Sequence, residues 1–144
     1  MDIIFDIDGT LMDVNHRRKF VDGSMGKKDW KGFNDAMKDD AKQEQVWFLA
    51  QTLIDVGHRI IIMTGRSMDQ QAISKIQLAD LQYDFMLMRP NDEFCPDEQL
   101  KSDMLDHVRG LGYDPKIVFD DRDAVVDMWR QRGLLCCQVQ RGNF

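Results

Sequence analysis

Ile3, Ile4, Phe5 and Ile7 open the chain as an apolar stretch with no helical period, halted at Gly9-Thr10. That pattern predicts a buried strand. From about Leu11 to Lys42 the regularity is lost and charge fills the sequence. Helical spacing returns over 43–56, with Val46, Leu49, Ala50 and Leu53 on one face and Gly57 just past the end. Arg59 to Met63 contains the unbroken run Ile60-Ile61-Ile62, as expected of an interior parallel strand apolar on both faces. Ser67 is placed to cap a helix reaching about Leu81, and Phe85 to Met88 predicts another strand. Pro96 opens a helix whose inward face would be Leu100, Met104, Val108 and Leu111. Lys116 to Phe119 then reads as a strand, Asp123 to Arg132 as a helix and Leu134 to Val139 as the last strand. This alternation predicts an α/β fold, a Rossmann-like doubly wound parallel sheet with a small insertion, or cap, at 11–42 after the first strand. No repeat, low-complexity tract or linker interrupts it, so residues 1–144 read as one domain.

Composition narrows the class. The chain has 144 residues, 43% hydrophobic and 31% charged, which is globular and large enough to bury its own core. It contains neither an apolar run of membrane-spanning length nor a signal peptide, so no membrane partner is expected. Cys95, Cys136 and Cys137 form no CxxC pair, which argues against a zinc or thioredoxin-type site and fits a reduced, cytoplasmic setting. The 19 basic and 25 acidic residues give a net charge of −6, unlike a general nucleic-acid coat protein. Residues 11–42 alone hold eight basic and six acidic side chains, a mildly basic segment favouring anionic substrates.

In an open parallel sheet the active site lies off the carboxyl ends of the strands. Four predicted strands end in polar groups: Asp6-Ile7-Asp8-Gly9-Thr10, Thr64-Gly65-Arg66, Arg89 with Asp97 and Lys101 at the start of the next helix, and Asp120-Asp121-Arg122. Four carboxylates, Asp6, Asp8, Asp120 and Asp121, would repel strongly without a cation among them. Hard oxygen ligands without His or Cys favour Mg²⁺. The Thr64 hydroxyl, the Gly65 N–H and Lys101 suit phosphate oxygens. A carboxylate beside such a centre can attack phosphorus, and Asp8, two residues on, could protonate the leaving oxygen and later activate water.

The ordered set Asp6-Ile-Asp8-Gly-Thr10, Thr64-Gly-Arg66, Lys101 and Asp120-Asp121 resembles the four motifs of the haloacid-dehalogenase phosphatase superfamily. The similarity is closer to the 3′-phosphatase domain of phage polynucleotide kinase-phosphatases. It continues through Arg17, Arg89, the Asp97-x-x-x-Lys101 spacing, Asp120-Asp121-Arg122 with Val125 to Arg130, Cys136 to Val139, and Gly142-Asn143-Phe144. The resemblance implies Asp6 as nucleophile and Mg²⁺ ligand, and Asp8 as general acid/base with its carbonyl on the metal. Asp120 would bind the metal directly and Asp121 from the outer shell or through water, while Thr64 and Lys101 hold the phosphate. Arg17, Arg66 and Arg89 would contact substrate or brace the site, with Asp97 orienting a cation and Arg122 close by. It further implies a phosphorylated nucleic-acid end or a nucleotide as partner, and a host cytoplasm if the chain is phage-encoded.

The sequence departs from those domains in 11–42 beyond Arg17. Since it opens on the first strand, no kinase domain is expected ahead of it. Gly23 to Lys28 is not a P-loop, because Val21 and Lys28 stand where Gly and Ser/Thr are required.

Plainer roles compete at each position. Asp121 could cap the following helix, Thr64-Gly65-Arg66 could be an ordinary turn, and Lys101 could lie on a solvated face beside Leu100. Arg122 could simply brace the acidic cluster, and His16-Arg17-Arg18-Lys19 could be a solvated run. Trp47 and Trp129 are expected in the core and Trp30 in the insertion. The reading that follows is a Mg²⁺-dependent phosphomonoesterase acting on the 3′-phosphate of polynucleotide ends. The alternatives are a small-nucleotide phosphatase and a non-catalytic module that accepts a phosphoryl group on Asp6.

Overall fold

The structure is a computed structural model describing residues 1–144. In chain order the strands are β1 (Asp2–Phe5), β2 (Met12–Asp13), β3 (Ala41–Lys42), β4 (Arg59–Ser67), β5 (Phe85–Arg89), β6 (Pro115–Asp120) and β7 (Leu135–Gln138). The helices are α1 (Trp30–Asp35), α2 (Glu44–Asp55), α3 (Gln71–Gln77), α4 (Asp97–Gly110) and α5 (Asp123–Gln131). Short 3-10 turns occupy Asn15–Phe20, Ala36–Asp39 and Met68–Gln70. No helix is long and apolar enough to cross a membrane.

Five strands form a parallel sheet in the order β5-β4-β1-β6-β7. Successive side chains on a strand point to opposite faces, so each fully apolar strand must be covered twice. Ile4, Ile61, Met63 and Val118 pack under α4 and α5 with Leu105, Val108, Val126 and Trp129. Ile3, Phe5, Ile60 and Ile62 pack on the other face with Val46, Trp47 and Ala50 of α2 and with Leu78 and Leu81. The sheet is doubly wound, as the strand–helix alternation predicts.

The insertion is pinched at its base by the antiparallel pair β2–β3, Met12 opposite Lys42 and Asp13 opposite Ala41. Its own apolar residues Val14, Val21, Phe33 and Met37 are buried, while Trp30 is about half exposed. The Gln77 side-chain amide donates to the Met37 carbonyl at 2.8 Å and ties the insertion to α3.

Three sequence expectations are corrected here. Leu111 is exposed, because α4 ends at Gly110 and Leu111 is its C-terminal cap; Leu105 fills the inward face instead. The helix expected over 67–81 is shorter. Ser67 ends β4 and forms a reciprocal capping box with Gln70 around a 3-10 turn, so α3 spans only Gln71–Gln77. β1 stops at Phe5, leaving Ile7 buried in the turn that follows.

Candidate active site

The strand order places β1 at the centre of the sheet, between β4 and β6, so the residues after β1 meet those ending β4 and β6. The Asp6 N–H donates to the Phe119 carbonyl at 3.0 Å, holding Asp6 against the end of β6. Its carboxylate accepts from Lys101 Nζ at 2.8 Å and from the Thr10 hydroxyl at 3.3 Å. The same Lys101 ammonium donates to Asp120 at 2.9 Å, and the indole N–H of Trp129 donates to that carboxylate at 3.1 Å. Asp6, Asp120 and Asp121 each offer one oxygen, all within 4.8 Å of one another, and all three residues are buried.

Lys101 bonds two of the three buried carboxylates and the partly exposed Arg18 the third, leaving the cluster with one more acid than cation. Burial pushes the Asp6 carboxyl well above its ordinary range, and its acidic neighbours add to this while Lys101 opposes it. Asp121 is pushed up to about 7 by burial and by Asp120, against Lys101 and Arg18. Burial alone would weaken Lys101 as a base, but Asp120 and Asp6 outweigh it and hold the ammonium charged. A buried, oxygen-only donor set of this kind fits a hard divalent cation such as Mg²⁺.

Asp8 is the first departure from expectation. Its carboxylate is not part of the acidic cluster but lies between two guanidiniums, Arg17 at 2.6 Å and Arg66 at 2.7 Å. Burial would raise its pKa, yet Arg66 and Arg17 hold it below the usual carboxylate range. Asp8 still adds to the repulsion felt by Asp6 and Asp121, but its own charge is balanced by the two arginines. Arg17 itself is fully buried. It is held by Asp40 at 2.8 and 2.7 Å, by the Phe33 carbonyl at 3.3 Å and by the Phe33 ring at 4.1 Å. Arg66 is steadied by the Ser74 hydroxyl at 3.0 Å and the Gln77 side-chain oxygen at 2.7 Å.

A second node lies at the N-terminal end of α4. Asp97 accepts from Arg89 with one oxygen and from Arg122 with the other, the latter at 2.9 Å. Arg89 also donates to the Gly65 carbonyl at 3.1 Å. A Cβ at Gly65 would lie 2.8 Å from the Asp97 carboxylate, so this approach requires glycine. Pairing between β4 and β5 breaks between Met63 and Ser67, which takes Thr64, Gly65 and Arg66 out of the regular ladder. The buried Thr64 hydroxyl accepts the Arg66 N–H at 3.1 Å.

Asp6, Asp8, Gly65, Arg66, Arg89, Asp97, Lys101, Asp120, Asp121 and Arg122 all line one cleft of about 860 Å³; Thr64 and Arg17 stand behind its wall. Lys101 is buried and Arg17 is no solvated residue. Asp121 does not cap α5, whose N-terminus has no side-chain cap. Sequence reasoning missed Asp40, which anchors Arg17 and also bonds His16 at 2.7 Å. It also missed Arg18, which donates to Asp121 at 3.1 Å while stacking on Phe144 at 4.6 Å. Neither carries a motif. An unpatterned acid 34 residues from Asp6, and the second arginine of a basic run, become visible only once the insertion is folded.

This sheet, with the Asp6–Asp8 turn after its central strand and the Asp120–Asp121 pair ending the neighbouring one, is that of a phosphatase of the haloacid-dehalogenase superfamily. Solved structures share the fold. A hydrolase from Streptococcus pneumoniae TIGR4 superposes with a TM-score of 0.66 at 16% identity, over 97% of this chain and 92% of that one. CbbY from Rhodobacter sphaeroides in complex with phosphate gives 0.64 at 16% identity, over 99% and 86%. Residues 1–144 match the polynucleotide kinase PNKP phosphatase domain, and the chain belongs to that family. A chain in the structure of the Pnkp1/Rnl/Hen1 RNA repair complex is 27% identical with a TM-score of 0.81, over 99% of this chain and 43% of that one. The present chain thus spans less than half the length of that relative.

Proposed function

We propose that the protein removes the 3′-phosphate from polynucleotide ends in a Mg²⁺-dependent reaction that passes through phosphorylated Asp6. The observation that carries the reaction is the separation of two carboxylates two residues apart: Asp6 among acids and one lysine, Asp8 between two arginines. Asp6, Asp120, the Asp8 carbonyl and Asp121, directly or through water, would hold the ion. When bound, it neutralises the acidic cluster and draws charge from the phosphoryl oxygens.

In the first half-reaction an Asp6 oxygen bonds to phosphorus and the ester P–O bond breaks, the leaving oxygen taking a proton from Asp8. In the second, Asp8 takes a proton from water, whose oxygen attacks phosphorus; the bond to Asp6 breaks and inorganic phosphate leaves. Asp8 bound to Arg17 and Arg66 is ionised, the form suited to the second step. For the first, an arriving phosphate dianion adds negative charge beside Asp8, which raises its proton affinity and lets it carry a proton. Thr64 and Lys101 steady the phosphate and the phosphoaspartate, with Arg89 and Arg122 positioned by Asp97. A module that merely stored a phosphoryl group would have no use for Asp8. Residues 14–40 act as a cap over the cleft.

The family supports a polynucleotide substrate, as does likeness to a chain of an RNA repair complex. The test is Mg²⁺-dependent phosphate release from four matched substrates: a 3′-phosphorylated oligonucleotide, its 5′-phosphorylated twin, and nucleoside 3′- and 5′-monophosphates. The 3′-oligonucleotide is expected to turn over fastest, with Asp8→Asn at least a hundredfold slower. Faster release from mononucleotides would move the protein to nucleotide metabolism with the same mechanism.

A further inference from the structure

The cleft extends past the acidic cluster to residues 90–96, the loop joining β5 to α4. Phe94 on this loop is 88% exposed, more than any other large apolar side chain of the protein. Its ring stacks on no other aromatic ring and under no cation. Trp30, across the same cleft, is by contrast engaged by the edge of Phe33 and by Lys28.

The loop is not slack. Arg89 donates to the carbonyls of Glu93 at 3.2 Å and Cys95 at 2.7 Å. The Glu93 carboxylate accepts the Cys95 N–H at 3.0 Å, and Asp92 holds a left-handed conformation at φ 66°. Arg89 is in turn fixed by Asp97 and Gly65. A tightly braced loop thus holds a phenyl ring at the mouth of the cleft, where its faces are open to a ligand.

The chemistry around the ring selects among ligands. Asp69, Asp92 and Glu93 line the same wall and would repel a phosphodiester backbone. The Asn91 side-chain oxygen accepts the Asp69 N–H at 3.1 Å, leaving its amide protons for a ligand. The Asp92 carboxylate makes no hydrogen bond or ion pair within the chain. A flat aromatic face beside one free acceptor and one free amide donor suits a heterocycle with amino and ring-nitrogen edges.

We propose that the loop at 90–96 is a nucleobase site, in which the base of the nucleotide bearing the scissile phosphate stacks on Phe94 with its edge toward Asn91 and Asp92. This rests on the nucleotide-phosphatase reading above and adds to it which wall of the cleft receives the base.

Steady-state kinetics on two oligonucleotides test it: one with a normal 3′-terminal nucleotide 3′-phosphate, the other with an abasic terminal residue carrying the same phosphate. The native enzyme is expected to show a KM about tenfold higher for the abasic end. Phe94→Ala raises KM about tenfold on the base-bearing end, and the penalty shrinks to under twofold on the abasic one. Phe94→Trp restores the native value and Phe94→Leu does not, since stacking needs a π-face rather than apolar bulk. Equal penalties on both ends would overturn the base site and leave the phosphatase reading standing. A native enzyme that turned over neither end would overturn the proposed substrate and the base site with it.

Discussion

Gly9 is required for two separate reasons. Its φ of 81° lies in the left-handed region, and a Cβ there would stand 2.1 Å from an Asp121 carboxylate oxygen. Gly9→Ala should therefore cost about 1–2 kcal/mol in backbone conformation. It should also displace Asp121 and lower phosphate release at least tenfold. Denaturant midpoint and steady-state turnover measure the two effects, and a fully active variant would show that Asp121 does not need its observed place. At this scale the sequence was informative about identity and poor on partners. The spacing of Asp6, Asp8, Lys101, Asp120 and Asp121 is that of the motif, and all five meet at the cleft. Nothing in the spacing shows that Asp8 turns away from the acids toward Arg17 and Arg66, because that depends on where the insertion folds. Lys101 looked ambiguous for a related reason: its burial is set by Asp6 and Asp120, both distant in sequence.

The elements were more legible, because the central strands β1, β4 and β6 are apolar on both faces and α2, α4 and α5 each bury one. Boundaries failed where side chains, not periodicity, decide the end, as at Ser67 with Gln70 and at Leu111. The far end of the sheet carries its own electrostatic lock. Asp2 of β1 accepts from Arg59 of β4 at 2.6 and 2.9 Å and from the Asp114 N–H just before β6 at 2.8 Å. Burial works against its ionisation, but Arg59 and the Asp114 N–H prevail and hold its carboxyl below the ordinary value. A depressed folded pKa means the contribution is complete above the unfolded value, near about 3.9. It fades as pH falls through the lower folded one. Asp2→Asn should accordingly unfold at lower denaturant near neutrality, with the gap closing under acid conditions. A gap that stayed constant down to about pH 2 would mean the ionised carboxylate contributes nothing.

For the whole molecule, one acid joins insertion to body. Asp40 binds Arg17 twice, lies 3.5 Å from Arg66, and through these arginines reaches Asp8. Asp40→Ala takes one of two carboxylate partners from the fully buried Arg17, leaving it Asp8 and the Phe33 carbonyl, which should cost about 1–3 kcal/mol. The segment at 14–40 should become cleavable by protease before the sheet unfolds, and activity should fall with it. Unchanged proteolysis would place the anchor of the insertion elsewhere, for instance at Gln77. The basic balance of residues 11–42 is partly spent on fixed partners, whatever it does for an arriving anion. Two of its eight cations are built into the site, and two more pair with Asp35 and Asp80.

The strand order also constrains how the molecule comes into being. β1 is synthesised early but lies at the middle of the sheet, with Ile3 beside Ile60 on one side and Ile117 on the other. Closing the second of these pairings spans more than a hundred residues, the kind of distant contact that slows folding. Asp120 and Asp121 arrive with β6, so a chain emerging from the ribosome carries Asp6 long before it carries a cation-binding cluster. If the proposed site is right, a nascent chain should release no phosphate from esters until β6 has docked beside β1.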